Sequence, residues 1–161
     1  RFGRESRLGL ERVAIGRPTG RALFHAVDPE ARRVRPDLPA WCDQLGSFSR
    51  EHITRHLGES IAPFVRSIEV EVRGLSELLN LRNLGAPDLL QIDTEGHEAE
   101  VLDTLDFDRH APVALFVEHK HLRPEVRRGL FEQLRRRGYR IRLCGHDFMA
   151  VRCRAGQGSN G

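Results

Sequence analysis

Hydrophobic and charged residues alternate strictly from Ser67 to Arg73, with Ile68, Val70 and Val72 at every second position. A period of two is typical of a strand that has one buried face. The residues before it are less regular. They predict short strands over 12–16 and 20–27, a proline-bearing loop over 28–41, and a short helix over 49–56 that begins at a serine.

After residue 73 the predicted helices and strands alternate. Three leucines over 75–79 predict a short helix, and apolar runs over 88–93 and 112–118 predict strands. The second run is continuous, as in strands buried on both faces of a parallel sheet. A helix is predicted over 98–105, and another runs from Pro124 to a natural stop at Gly138.

The last two strands are predicted over 139–144 and 148–153, and a tight turn at Gly145 joins them in a hairpin. Strands that alternate with helices favour an open, mostly parallel α/β sheet, which here ends in a C-terminal antiparallel hairpin. We expect one domain over 11–153, an N-terminal flank over 1–10, and a flexible tail of small polar residues over 154–161.

Composition narrows the classes of function. The 161 residues carry 26 Lys+Arg and 23 Asp+Glu, a formal net charge of +3. Lys120 is the only lysine, and the arginines are interleaved with acids, so we expect no nucleic-acid partner. The longest apolar run, from Val113 to Val117, is far shorter than the roughly 20 residues of a membrane span, so no membrane partner is expected. Three cysteines without metal-ligand spacing favour a reducing, cytoplasmic location.

Titratable side chains follow two of the predicted buried strands. The first group is the segment Asp93-Thr94-Glu95-Gly96-His97-Glu98, and the second is Glu118-His119-Lys120-His121. Ligands of open α/β sheets bind outside the carboxyl ends of the strands. We therefore expect Asp93 and Glu118 to share one edge of the sheet with the imidazoles of His97 and His119.

Two simpler interpretations of these groups stay open. Carboxylates in the first turn of a helix stabilise its free N–H groups, with Asp93 or Thr94 as the N-cap. Two histidines at 119 and 121 would share one face of an extended segment, and with Asp93 or Glu95 they could bind a metal. Because the remaining ligands are unspecified, the sequence assigns no metal.

The string LLQIDTEGHEAEVLDTLDF, followed by PVALFVEHKHL, resembles the FkbM family of S-adenosylmethionine-dependent methyltransferases. The most specific part is the Ile-Asp-x-Glu-Gly-x-Glu segment at 92–98. The resemblance covers roughly 10–153 and implies a Rossmann-like class I methyltransferase sheet. No glycine-rich cofactor turn matches, so the chain looks like the C-terminal part of that domain. We expect its first βαβ unit to be missing, and a missing N-terminal segment or a homodimer to complete it.

The resemblance implies transfer of a methyl group from S-adenosylmethionine to a hydroxyl of a sugar or polyketide-like small molecule. By this resemblance Asp93 lies at the methyl-transfer edge, with Glu95 and Glu98 in positioning roles. His97 or His119 is the candidate base, and Glu118 binds acceptor hydroxyls. Ala14 and Ile15 would line the adenine side of the cofactor, which Asp93 would also contact.

Two other functions remain as alternatives. The first is a catalytically inactive half-domain that acts as a binding or assembly module, because an unpaired strand at the edge of a sheet invites another chain. The second is a metal-dependent hydrolase that would use Asp93, Glu118, His119 and His121. For such a hydrolase the sequence shows no evident nucleophile paired with a base.

Overall fold

The computed structural model describes residues 8–153, which form two compact units. The first unit contains the described residues up to Ala14 together with Pro18–Val72. The second contains Ile15–Arg17 and the described residues from Arg73 onward. Residues 1–7 of the predicted flank and the whole predicted tail lie outside the described part of the chain, and the predicted domain bounds stay a prediction.

The first unit is built on a sheet with the strand order β1-β4-β2-β3. Strand β2 pairs antiparallel with both β3 and β4, and Val27 lies opposite Val65. Its elements are β1 (Ala14–Ile15), β2 (Gly20–Val27), α1 (Ala31–Val34), β3 (Gly46–Ser47), α2 (Arg50–Leu57) and β4 (Val65–Arg73), with 3₁₀ turns at Cys42–Gln44 and Glu59–Phe64.

The predicted elements of this unit are present in part: the strand predicted over 12–16 is only Ala14–Ile15, and β3 was not predicted. The strand 20–27 is confirmed, and α2 begins after Ser49, whose hydroxyl accepts a hydrogen bond from the backbone N–H of His52 at 3.3 Å. The predicted loop 28–41 holds the single-turn helix α1. The alternating strand is confirmed, but Ile68 on it is 48% exposed because β4 pairs with β2 in a ribbon that is only partly covered.

The second unit follows the predicted alternation of helices and strands. Its elements are α3 (Leu75–Leu81), β5 (Leu89–Ile92), α4 (Glu98–Asp103), α5 (Phe107–His110), β6 (Ala114–Glu118), α6 (Pro124–Arg136), β7 (Tyr139–Cys144) and β8 (Asp147–Arg152). The strand order is β5-β6-β8-β7. Strands β5 and β6 are parallel, and β8 is antiparallel to both of its neighbours.

The C-terminal hairpin is confirmed. Strands β7 and β8 meet at Gly145, whose φ of 69° suits glycine in a tight turn. The α/β class is also confirmed, but the mostly parallel sheet is not, because both sheets contain antiparallel pairs. Hydrophobic patterning fixes which face of a strand is buried, whereas strand direction depends on connections that the pattern does not encode.

The hydrophobic core of the second unit lies between its sheet and its helices. Leu115 and Val117 of β6 are fully buried, as are Phe148 and Ala150 of β8. Helices α4 and α6 contribute Val101, Leu102, Leu130 and Leu134 to the same core. This packing fixes the ends of β5 and β6, which carry the titratable groups. No helix in the described part of the chain is long and apolar enough to cross a membrane.

Candidate functional site

The loop after β5 is organised around the carboxylate of Glu98, which is fully buried. Its Oε1 accepts hydrogen bonds from the backbone N–H of Thr94 at 2.9 Å, the Thr94 hydroxyl at 3.1 Å and the backbone N–H of Gly96 at 3.0 Å. The Gly96 N–H also lies 3.1 Å from Oε2. Glu98 therefore holds the loop.

The expectation that Asp93 or Thr94 caps the following helix is wrong. The N-cap residue of α4 is His97, whose side chain makes no capping hydrogen bond. The helix begins only at Glu98 because the backbone first turns through Glu95 at φ 55° and Gly96 at φ 111°. The Glu98 carboxylate instead accepts hydrogen bonds from backbone N–H groups of the preceding loop. Helix capping therefore does not explain why Asp93 and Glu95 are acidic.

Asp93, Glu95 and Glu118 converge at one end of the parallel pair β5–β6. Ile92 lies opposite Val117 in this pair, so both strands end at the same edge and Asp93 and Glu118 follow them. Each of the three side chains offers an oxygen, and these oxygens lie within 4.8 Å of one another. We call these three residues the acidic rim. The shared edge expected from the sequence is therefore present for the carboxylates.

The acidic rim carries an electrostatic cost. Partial burial raises the pKa of Asp93, and the charges of Glu95, Glu98 and Asp147 raise it further, while His121 lowers it. Burial is also the largest cause that raises the pKa of Glu118, followed by the charges of neighbouring carboxylates. Like charges this close favour protonation unless a cation or a hydrogen-bond donor binds between them.

Glu118 has a further feature that sets it apart. Its Oε2 is buried from solvent and has no hydrogen-bond partner among the described residues. The side chain as a whole is 15% exposed. A buried carboxylate oxygen without a donor is costly, and such atoms are associated with strain, with a functional role, or with a bound water or ion.

His121 also reaches the acidic rim, although the sequence placed it only in the metal alternative. Its Nε2 lies 3.0 Å from Oε2 of Glu95 and 4.0 Å from Oε2 of Glu118. A Cβ at Gly96 would lie 3.5 Å from the Cβ of His121, so the loop after β5 and the turn after β6 lie in close contact. The signal for His121 was its spacing, three residues from the end of a buried strand.

His119 lies away from the acidic rim. It is 8% exposed, and its ring packs edge-on to Phe131 and tilted to Phe148 beneath α6. Its Nδ1 lies 3.4 Å from the guanidinium of Arg127, which can only donate, and its Nε2 is buried without a hydrogen-bond partner in the described region. The expectation that both histidines share one face is wrong because β6 ends at Glu118 and the chain turns.

The remaining predicted site residues lie as follows. His97 is exposed at the start of α4. Ala14 and Ile15 form β1, and Ile15 is partly buried against the core of the second unit. The spacing of the acidic rim is compatible with a divalent cation, and such carboxylate groups also occur without one.

The comparison with known families gives the identity of the domain. Residues 4–141 match the model of the methyltransferase FkbM domain. The chain belongs to the FkbM methyltransferase family. The match includes the loop held by Glu98, the acidic rim and His121. The comparisons with curated proteins and with solved structures found no match.

The described residues fit one end of a sulfonium cofactor. Three carboxylates at the end of a parallel strand pair suit a positive charge, and the unpartnered Oε2 of Glu118 suits a hydroxyl donor beside it. The sequence offers no glycine-rich turn for the rest of such a cofactor. The fit therefore concerns the methyl end alone.

Proposed function

We propose that this FkbM domain takes part in S-adenosylmethionine-dependent methylation of a hydroxyl on a sugar or polyketide-like small molecule. The family supports methyl transfer. The observation that carries the choice of a hydroxyl is the buried, unpartnered Oε2 of Glu118 in the acidic rim. An acceptor hydroxyl has the O–H donor that this oxygen lacks.

Glu118 acts as the proton acceptor in this proposal. When bound, S-adenosylmethionine supplies a methyl group on a positive sulfur, which keeps the electron pair of the broken C–S bond. The acceptor oxygen forms the new O–C bond, and its proton passes to Oε2 of Glu118. A carboxylate whose pKa is raised is a better base near neutral pH than one at its ordinary value.

The other predicted residues have supporting roles. Asp93 and Glu95 face the positive charge, and Glu98 holds their loop. Ala14 and Ile15 remain the proposed contacts of the adenine side. In this proposal Glu118 takes the role of base that the resemblance gave to His97 or His119. The proposal also includes a Rossmann-like sheet and a cytoplasmic location, the latter in agreement with three cysteines that form no disulfide.

Methyl transfer can be tested with radiolabelled S-adenosylmethionine and a panel of sugars, polyols and hydroxylated macrolides. We expect label in a product that survives mild alkali, because a methyl ether is stable there and a methyl ester is hydrolysed. Label that alkali releases, or label found only on amines, would contradict the proposed hydroxyl acceptor.

One observation supports a second candidate, a non-catalytic assembly module. β5 lies at the edge of its sheet among the described strands, and Leu89 on it is 56% exposed. Met149 and Val151 of β8 are 40% and 41% exposed. Light scattering across a concentration series would support this module if the chain forms a dimer that Leu89→Lys disperses, with no methyl transfer by either form.

A further inference from the structure

The imidazole of His121 lies beside two carboxylates of the acidic rim. Its Nε2 is 3.0 Å from Glu95 and 4.0 Å from Glu118. Its side chain is 21% exposed, so solvent screens these interactions only in part. The protonated form of an imidazole at these distances attracts both carboxylates.

The loop geometry serves this contact. Glu95 has a left-handed backbone, and Gly96 follows it at φ 111°. A Cβ added at Gly96 would lie 3.5 Å from the His121 Cβ, at ordinary van der Waals distance, so this turn packs directly beside His121. Glu98 fixes the same turn through the N–H of Gly96. The fold therefore holds Glu95 against His121 by means separate from the ion pair itself.

We propose that His121 is a positioning residue of the methyl-transfer site, which holds the Glu95 carboxylate in the acidic rim and acts electrostatically on Asp93 and Glu118. The inference rests on the proposed function for its catalytic meaning. Other charges act on the same two carboxyls: Glu98 and Glu95 raise the pKa of both, Asp147 raises that of Asp93, and Lys120 lowers that of Glu118.

The sign of the effect follows from these charges. His121 lowers the pKa of Asp93, so its removal raises that pKa. The Oε2 of Glu118 lies 4.0 Å from the same nitrogen, where the positive charge of a protonated His121 favours the ionised carboxylate. A protonated Glu118 cannot take the acceptor proton, so transfer by His121→Gln falls at neutral pH and recovers as the pH rises.

The first test needs neither cofactor nor acceptor. Carboxyl ¹³C NMR of the full chain follows the titration of Asp93 and Glu118 in the wild type, in His121→Gln and in His146→Gln. His146 is an exposed histidine on the hairpin turn and serves as the control. We expect both titrations to move to higher pH in His121→Gln alone. Unchanged curves would overturn the proposal.

The second test uses any acceptor that the radiolabel assay identifies. The acid side of the pH–rate profile moves to higher pH in His121→Gln, and His121→Lys restores part of the transfer at pH 7 because it restores a positive charge. A loss that is equal at every pH, and that lysine does not relieve, would make the residue merely structural. If the wild type transfers no methyl group, the proposed function fails while the NMR result still decides the role of His121.

A cation site is the competing explanation of the same groups, and MnCl₂ is the probe. We expect Mn²⁺ to broaden the carboxyl signals of the acidic rim no more than those of exposed Glu100 and Glu125. Selective broadening at micromolar Mn²⁺ that His121→Gln removes would overturn the proposal, because His121 would then be a metal ligand.

Discussion

At the scale of single residues, the sequence predicts that the acidic segment forms a site, but it does not predict which role each carboxylate has. The sequence places Asp93, Glu95 and Glu98 within six positions after a buried strand, and this alone indicates a site. Which carboxylate faces the loop and which faces solvent depends on the left-handed turn at Glu95 and Gly96. That turn places Glu98 inside and leaves Asp93 at the strand end.

Glu98→Ala tests the structural role of the buried carboxylate. The change leaves the N–H groups of Thr94 and Gly96 without their acceptor, so we expect the free energy of unfolding to fall by about 2–3 kcal/mol. Urea denaturation measures this loss. Glu100→Ala, an exposed change on the same helix, should stay within about 0.5 kcal/mol of the wild type. Equal stability of the two variants would contradict the role of Glu98.

Gly96→Ala tests the turn itself. At φ 111° an alanine is strained whatever space surrounds it, so we expect destabilisation of about 1 kcal/mol or more. The added methyl also lies against His121, so the amide resonances of the turn after β6 should shift. Gly129→Ala in α6, where an added Cβ meets nothing within 4 Å, is the control and should not destabilise. A Gly96→Ala protein as stable as the wild type would contradict the claim that this turn needs a glycine at position 96.

At the scale of elements, what the sequence predicts well is what local chemistry determines. Pro124 starts α6, and Gly138 follows its end at φ 84°. Gly145 marks the hairpin. The partner of β4 could not be predicted, because its antiparallel pairing with β2 joins residues far apart in sequence. Helix α5 was missed because a single turn leaves no periodic pattern.

Thr104→Val tests how α3 is attached to α4. The Thr104 hydroxyl is buried, accepts a hydrogen bond from the backbone N–H of Leu75 at 2.9 Å, and donates one to the Val101 carbonyl at 2.6 Å. Valine keeps the shape but leaves the Leu75 N–H unsatisfied, at a cost of about 1–3 kcal/mol in unfolding experiments. Thr104→Ser retains the hydroxyl and should lose less. A larger loss of stability in Thr104→Ser than in Thr104→Val would contradict the role of the Thr104 hydroxyl in joining α3 to α4.

At the scale of the whole molecule, the proposed chemistry needs ionised carboxylates in the acidic rim, and their ionisation lowers the free energy of unfolding. A carboxyl whose pKa is raised on folding binds protons more tightly in the folded state. Its contribution to stability is therefore present below the unfolded pKa and is lost as the pH rises through the folded pKa. Asp93 and Glu118 both have raised pKa values, so their joint ionisation costs stability at neutral pH.

Glu118→Gln should consequently stabilise the protein as the pH rises. Thermal midpoints of the two proteins are measured from pH 4 to pH 8. We expect the midpoint of Glu118→Gln minus that of the wild type to increase as the pH rises through the raised pKa of Glu118. The difference between the two proteins removes the contributions of other titrating groups. A difference that shrinks with rising pH would mean that Glu118 is stabilised in its ionised form.

The most direct measurement for the account as a whole is methyl transfer by Glu118→Gln compared with Glu125→Gln. Glu125 is an exposed glutamate at the start of α6 and serves as the control. We predict that Glu118→Gln loses transfer from labelled S-adenosylmethionine by at least about a hundredfold while it remains folded, and that Glu125→Gln retains wild-type transfer. Equal transfer by the two variants would contradict the assignment of Glu118 as the proton acceptor.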